Sequence, residues 1–417
     1  MAANDLDRAV LDVRAVLPVR AVDLARLRVL AEAGRPVVSV VGKYNHGKSR
    51  LLNELIGSDR FAVADRRETV VLAEHVVEDA RWLDAPGLDA DVGMADDSYA
   101  YHAAWVQADI RLFVHAAREG ELDAGERALL QSLHADAKRT QRQTLFVLTQ
   151  VDQLPDEAHL DQVVKAILGQ VPDAAPHPVS ATRHRLGVEG AKRLLLEKSG
   201  IPALQAVLRS ARARVPQARA HETALLTGEI RAELQRLQMA TQERREALAG
   251  LQGRHRQAFD LGLAAVFDQV QGDLQPVLQV SGTDQALVPD SFANMFKSTA
   301  GKQERARLQV AYSHACLAIN AHLVRHGVVD LPAAQQTSVR SLDTVMVAVL
   351  GVSVKYRDDL RRLFCEPAGR DRLQQEFARY FELSEDRAAL ARQVVDAEAG
   401  IAAAGQALVA LRMLGRP

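Results

Sequence analysis

The sequence predicts an α/β domain, with a mostly parallel sheet covered by helices on both faces, followed by a large all-α region. Three observations carry this reading. Short apolar runs alternate with helical stretches from Pro36 to about Gly200. Strand-like runs disappear after Ile201, where charge is dense and proline sparse. Between the apolar run Pro36–Val41 and a good helix, Gly42–Ser49 spells G-x-x-x-x-G-K-S.

Each element has a local signal. Residues 1–34 carry Leu, Val and Ala at helical spacing, with Pro18 as a break and Gly34 and Pro36 as stops, and are expected to pack with the C-terminal helices. Within residues 35–200 the expected strands are Val37–Val41, Val70–Val77, Arg81–Asp84, Ile110–His115, Leu145–Thr149 and a short Pro178–Val179. The second and third are joined by a tight polar turn and read as an antiparallel edge hairpin. Helices are expected at Ser49–Ile56, Asp97–Gln107, Ala124–Ala137, Ala158–Leu168 and Val188–Glu197. Residues 201–417 read as a helical bundle or stalk. Ile230, Leu234, Leu237, Leu248 and Leu251 fall near a seven-residue spacing, which suits a helical hairpin or coiled coil. Residues 280–301 interrupt it as a loop or tip. Helical spacing returns at Gln303–Arg325, Val339–Phe364, Arg370–Phe381 and Glu385–Leu411.

Composition narrows the function classes. The chain has 417 residues and a net charge of −1, so no global field draws it to nucleic acid or an anionic surface. Aromatics are only 4% of residues, and no nucleic-acid partner is expected. Cys316 and Cys365 lie far apart, suggest no shared metal site and fit a reducing, cytoplasmic setting. No basic-then-apolar leader is visible, and Val345–Val354 is too short to span a bilayer. A permanent membrane anchor is not expected.

The glycine-rich segment carries the chemistry. Backbone N–H groups of Gly42, Tyr44, Asn45, His46, Gly47, Lys48, Ser49 and Arg50 are candidates to wrap phosphates at a helix N-terminus. Lys48 would reach the β- and γ-phosphates, and the Ser49 hydroxyl would bind Mg²⁺. Asp84-Ala85-Pro86-Gly87 is D-x-x-G at a strand end. Its Asp84 could hold Mg²⁺ through water, and the Gly87 N–H could sense the γ-phosphate. Thr149-Gln150-Val151-Asp152 closes another strand, where the Asp152 carboxylate could accept the N1 and N2 hydrogens of guanine. Ser180 and Ala181 follow the last strand, where backbone N–H groups could meet the guanine O6. Thr69 sits where a switch threonine would complete the Mg²⁺ shell.

These motifs, in this order, resemble the translation-factor class of P-loop GTPases. The wording G-K-Y-N-H-G-K-S-R-L-L-N-E-L-I-G, then Phe61-Ala62-Val63 and Thr69, then D-A-P-G-L, is most similar to the bacterial dynamin-like branch. The resemblance covers residues 35–200; beyond them it is architectural. It implies a P-loop GTPase domain that binds GTP or GDP, hydrolyses GTP at a low intrinsic rate, and pairs its heads in a homodimer. Leu88 stands where small signalling GTPases carry a water-orienting Gln, and an aliphatic side chain cannot hold that water. Asn45 matches the residue that helps hold K⁺ in potassium-stimulated relatives, where the cation takes an arginine finger's role. Gln150 replaces a usual Lys, which weakens the expected grip on the base. His46 replaces a usually small residue and reads as a solvent-facing loop residue, with a phosphate or partner contact as the alternative. Arg66 and Arg67 read as exposed charges or as arginine fingers.

Three readings compete for the helical half. It could touch membrane peripherally through Leu287, Val288, Phe292, Met295, Phe296 and Lys297. It could bind a protein partner as a regulatory switch or low-activity scaffold. It could serve only to bring heads together.

Overall fold

The computed structural model describes residues 3–32, 34–63, 72–85, 101–289, 291–292, 296–338 and 343–415. They form two compact units, Met1–Leu237 with Ala403–Pro417, and Gln238–Ala402. Arg66, Arg67, Thr69, Gly87, Leu88 and Met295 lie outside the described residues.

The first unit holds a six-stranded sheet. Its strands are β1 (Val37–Gly42), β2 (Ala73–Val77), β3 (Ala80–Asp84), β4 (Ile110–Ala116), β5 (Gln143–Thr149) and β6 (Pro176–Pro178). The spatial order is β2-β3-β1-β4-β5-β6. Only β2 and β3 pair antiparallel, as the polar turn between them predicts; all other neighbours are parallel. The strand β6 starts two residues before its predicted position, and Val179 N–H continues its ladder by donating to Leu148 O.

β1 and β4 are buried at every position, as parallel strands covered on both sides must be. Alternate residues feed opposite layers. Val38, Val40, Leu112 and Val114 pack on Leu51, Leu52, Ile201, Leu204 and Leu208. Val41, Phe113, Phe146 and Leu148 pack with Leu130, Leu133 and Ile167. The helices bearing these residues are α3 (Lys48–Ile56), α4 (Ala124–Thr140), α5 (Glu157–Gln170) and the start of α8 (Ile201–Leu278). A third core joins Leu6, Val13, Leu24 and Leu27, on α1 (Ala3–Val16) and α2 (Ala21–Ala31), with Ile230, Leu234, Ala407 and Leu411.

Several helices differ from expectation. The stretch Val188–Glu197 is two helices, α6 (Ala181–Glu189) and α7 (Arg193–Lys198). Gly190 ends the first, and Ala191 adopts a φ of 49°, which no α-helix can continue. Residues 201–279 contain no hairpin. Ile201–Leu278 is one 78-residue helix, because Gly250 and Gly253 cost only about 1 kcal/mol each in a helix and nothing nearby forms a turn. The expected Val339–Phe364 helix is shorter and split: α10 (Val345–Leu350) stops at Gly351, whose φ is 74°, and α11 (Arg357–Phe364) follows. Of the expected Asp97–Gln107 helix, His102–Gln107 is a π-helical turn and residues 97–100 lie outside the described residues.

In the second unit α9 (Ala300–Arg325), α12 (Pro367–Leu383) and part of α8 enclose Phe259, Phe267, Leu308, Ile319, Phe364, Phe377 and Phe381. In the interruption between α8 and α9, Ala286 is buried and its carbonyl accepts from Arg305. Phe292 and Phe296 there are 89% and 97% exposed. Among the described residues one helix, α13 (Glu385–Leu414), is long and apolar enough to cross a membrane by length and composition. Its Ala404, Ala407, Leu411 and Leu414 are buried.

Candidate functional site

β1, β3, β5 and β6 run parallel, so their carboxyl ends share one edge of the sheet. Gly42–Ser49, Asp84, Thr149–Asp152 and Ser180 stand there, at the edge where open α/β sheets bind ligands. The loop leaves β1 at Gly42, whose φ is 156°; a Cβ there would sit 2.2 Å from the Val114 carbonyl oxygen. Only glycine lets β1 and β4 approach this closely. Gly47, with a φ of 77°, caps α3 and aims that helix's free N–H groups into the loop. Asn45 also has a positive φ, 58°, and is exposed on the rim.

The lysine of the motif is nearly buried, and Lys48 Nζ donates to Lys43 O at 2.8 Å. The Ser49 hydroxyl donates to Asp84 Oδ2 at 2.5 Å. Asp84 is 2% exposed, and its Oδ1 is buried without a hydrogen-bond partner among the described residues. Burial pushes the Asp84 pKa up, against the opposing pull of the Ser49 hydrogen bond and the Lys48 charge. A buried carboxylate with one oxygen unsatisfied is costly unless something else meets it. The donor set, one hydroxyl and one carboxylate, is all oxygen and fits Mg²⁺. Ser49 and Asp84 are the described residues that would hold it.

The second half of the site is bonded to the first. Thr149 Oγ1 donates to His46 O at 2.6 Å. Gln150, in a left-handed conformation with φ of 59°, donates from Nε2 to Asn45 O at 2.7 Å. The shorter side chain thus still reaches the phosphate loop. Ser180 Oγ donates to Asp152 Oδ1 at 2.6 Å and accepts from Arg183 N–H, capping α6 just before Ala181. Tyr44 and Lys43 are half-buried in the loop, and Arg50 is exposed on α3.

His46 corrects the expectation of a solvent-facing side chain. It is 3% exposed, and its ring lies edge-on to His115 at 5.2 Å. Burial lowers its pKa to about 4, although the Glu126 charge opposes this. Three residues under the loop were not anticipated: His115 on β4, and Asp123 and Glu126 at the start of α4. Asp123 also pairs with Lys43. The D-x-x-E spacing of Asp123 and Glu126 is a capping-box signal, and both of its hydrogen bonds form.

Known proteins match this chain in two ways. An uncharacterized protein of Acinetobacter baylyi is 54% identical over 380 residues, covering 91% of each chain. The chain belongs to the same family as that protein. Separately, a family described as 50S ribosome-binding GTPase matches residues 37–150. GTPase Era of Bordetella petrii is 32% identical over 154 residues, and GTPase Der of Desulforamulus reducens 31% over 156. Each match covers 35% of this chain, but only 50% of Era and 33% of Der. A solved structure of Aquifex aeolicus Era bound to GDP and AlF₄⁻ matches 38% of this chain and 55% of that one, at 22% identity and a TM-score of 0.31. The family member thus carries a P-loop GTPase domain similar to those of Era and Der, on which the phosphate loop, Asp84 and Thr149 all lie.

Proposed function

We propose that this protein binds and hydrolyses GTP, and that its nucleotide state is coupled to the helical region by pairing of two GTPase domains, as in dynamin-like proteins. The observation that carries the proposal is the bonding of both halves of the site into one unit. Gln150 and Thr149 donate to Asn45 and His46 in the phosphate loop, and Ser180 fixes Asp152. A carboxylate so placed would select guanine, and the loop below it would take the phosphates.

Each residue then has a role. The loop N–H groups and Lys48 would stabilise charge spreading over the γ-phosphoryl oxygens as water attacks in line. Lys48 would exchange the Lys43 carbonyl for phosphate oxygens. Ser49, and Asp84 through water, would hold Mg²⁺, which would supply charge neutralisation at the phosphates. Thr69 and Gly87 enter this scheme from the sequence alone. Because Leu88 cannot orient water, Asn45 would recruit K⁺ and a partner domain to supply the missing stabilisation. The exposed Asn45 rim supports this reading.

Phosphate release by the full chain tests both levels. Hydrolysis of GTP should rise with protein concentration and be faster in K⁺ than in Na⁺. Equal turnover in both salts at every concentration removes the cation and pairing steps, and no turnover removes the activity. Phe292 and Phe296 favour a peripheral membrane contact for the helical region. Flotation with anionic liposomes, compared between wild type and Phe292→Ser/Phe296→Ser, separates this from a protein partner.

A further inference from the structure

Beneath the phosphate loop, three metal-ligating side chains converge that the nucleotide chemistry does not use. His46 comes down from the loop, His115 stands on β4, and Glu126 lies in the first turn of α4. They are 3%, 1% and 6% exposed. One ligating atom from each lies within 4.8 Å of the other two. Glu126 Oε1 is 2.9 Å from His115 Nδ1 and 3.5 Å from His46 Nδ1.

The hydrogen count leaves a bridging position between two of them. His115 Nε2 sits 3.2 Å from the Gly120 carbonyl oxygen, which only accepts. That nitrogen therefore carries the proton, and in a neutral ring Nδ1 presents a lone pair. The atom it faces is a carboxylate oxygen. Two lone pairs at that distance repel unless a second ring proton or a metal ion lies between them, and His46 Nδ1, 3.4 Å from the Val114 carbonyl oxygen, would have to exchange that contact for the ion. The other Glu126 oxygen is already held, accepting from Asp123 N–H at 3.2 Å.

We propose that His46, His115 and Glu126 form a binding site for a divalent transition-metal cation of the zinc type, separate from the Mg²⁺ position at Ser49 and Asp84. Two imidazoles and one carboxylate are a known zinc donor set, with bonds of about 2.0–2.2 Å. Bonds of that length put tetrahedral ligand atoms roughly 3.3–3.6 Å apart. The 3.5 Å separation lies in this range, and the 2.9 Å separation is shorter and would have to open for an ion to enter. The Gly120 contact is the outer-shell bond that fixes the tautomer of a ligating histidine. Magnesium, which takes oxygen ligands, would not compete here. An ion at this point ties the loop to β4 and α4. The Lys43–Asp123 pair already joins the same loop and helix. Occupancy would hold the loop in its phosphate-binding shape before nucleotide arrives.

The test uses the full chain, free of any histidine tag and stripped by chelator, titrated with Co²⁺ alone. The expected result is visible d–d absorption that saturates at one equivalent and is displaced by Zn²⁺. Glu126→Gln and His115→Asn should each weaken Co²⁺ binding at least about tenfold. Thermal unfolding should rise by several degrees with Zn²⁺ in wild type and not in Glu126→Gln, which keeps the capping side chain's size if His115→Asn fails to fold. Absence of d–d bands in wild type overturns the site. So does equal Co²⁺ affinity in wild type and variants, the result expected of a brace held by hydrogen bonds alone.

Discussion

The two edges of the sheet both bury charge, but they treat it differently. At the carboxyl edge, Lys48 is parked on a backbone carbonyl and Asp84 keeps one buried oxygen unsatisfied. At the amino edge, Arg26, Asp109, Arg111, Arg142 and Glu222 are all at most 4% exposed, and each is held in an ion pair. Arg26 bridges Asp109 at 2.9 Å and Glu222 at 2.8 Å. Asp136 takes Arg111 at 2.6 Å and Arg142 at 2.9 Å. Arg219 closes the set on Asp109 at 2.5 Å. Asp109 also accepts from Val37 N–H, at the start of the strand that ends in the phosphate loop. Charge left over at one edge suits a ligand. Charge paired at the other fixes α2 and α8 to the sheet. Such paired charge specifies an arrangement more than it adds stability, and breaking it by half is what costs.

The contrast can be broken from either side. The largest expected effect is at the carboxyl edge. Lys48→Ala should lower GTP turnover at least about 100-fold while leaving the thermal midpoint within a few degrees, because it removes charge stabilisation but no core packing. A large fall in midpoint would show that this edge is structural too. Asp109→Asn should do the reverse, costing about 3–5 kcal/mol by leaving Arg219 without its carboxylate and Arg26 with Glu222 alone, read by urea unfolding. The pH profile adds a sign. Burial alone would raise the Asp109 pKa, but the Arg219 hydrogen bond and the Arg26 and Arg219 charges more than reverse this and hold it low. Its contribution is therefore full above the ordinary carboxylate value and lost as pH falls below about 4. Wild type should lose stability through that acid range, and Asp109→Asn should lose less.

Smaller effects sharpen the site itself. Asp152→Asn should cut the preference for GTP over its inosine or adenine analogues by roughly 10–100-fold, the worth of hydrogen bonds to a charged group. Competition binding reads it directly. Gln150→Ala should weaken nucleotide binding only about fivefold, the value of one neutral hydrogen bond to Asn45 O. A loss as large as that of Lys48→Ala would give Gln150 a role beyond bracing the loop.

The same contrast explains what the sequence discloses. Gly42–Ser49, Asp84 and Thr149–Asp152 each follow a strand as a short, contiguous motif, so order and spacing reveal them. The convergence of Gln150 on Asn45 needs the fold, since 105 residues separate them. The amino-edge network is invisible for the same reason: Arg26 and Glu222 are 196 residues apart, and each reads as one more charge on an amphipathic helix. His46 misled because loop residues are usually exposed, and its buried partner His115 lies on a strand 69 positions away. The long helix Ile201–Leu278 misled because a heptad-like spacing fits a hairpin and one continuous rod equally well.

The central claim is that the carboxyl edge is a guanine-nucleotide site built around Lys48. Calorimetric titration of the full chain with GDP and with ADP, each with Mg²⁺, tests it most directly. The account predicts GDP binding at least about 100-fold tighter than ADP in wild type, and loss of that binding in Lys48→Ala. Equal affinity for the two nucleotides, or undiminished GDP binding by Lys48→Ala, would contradict it.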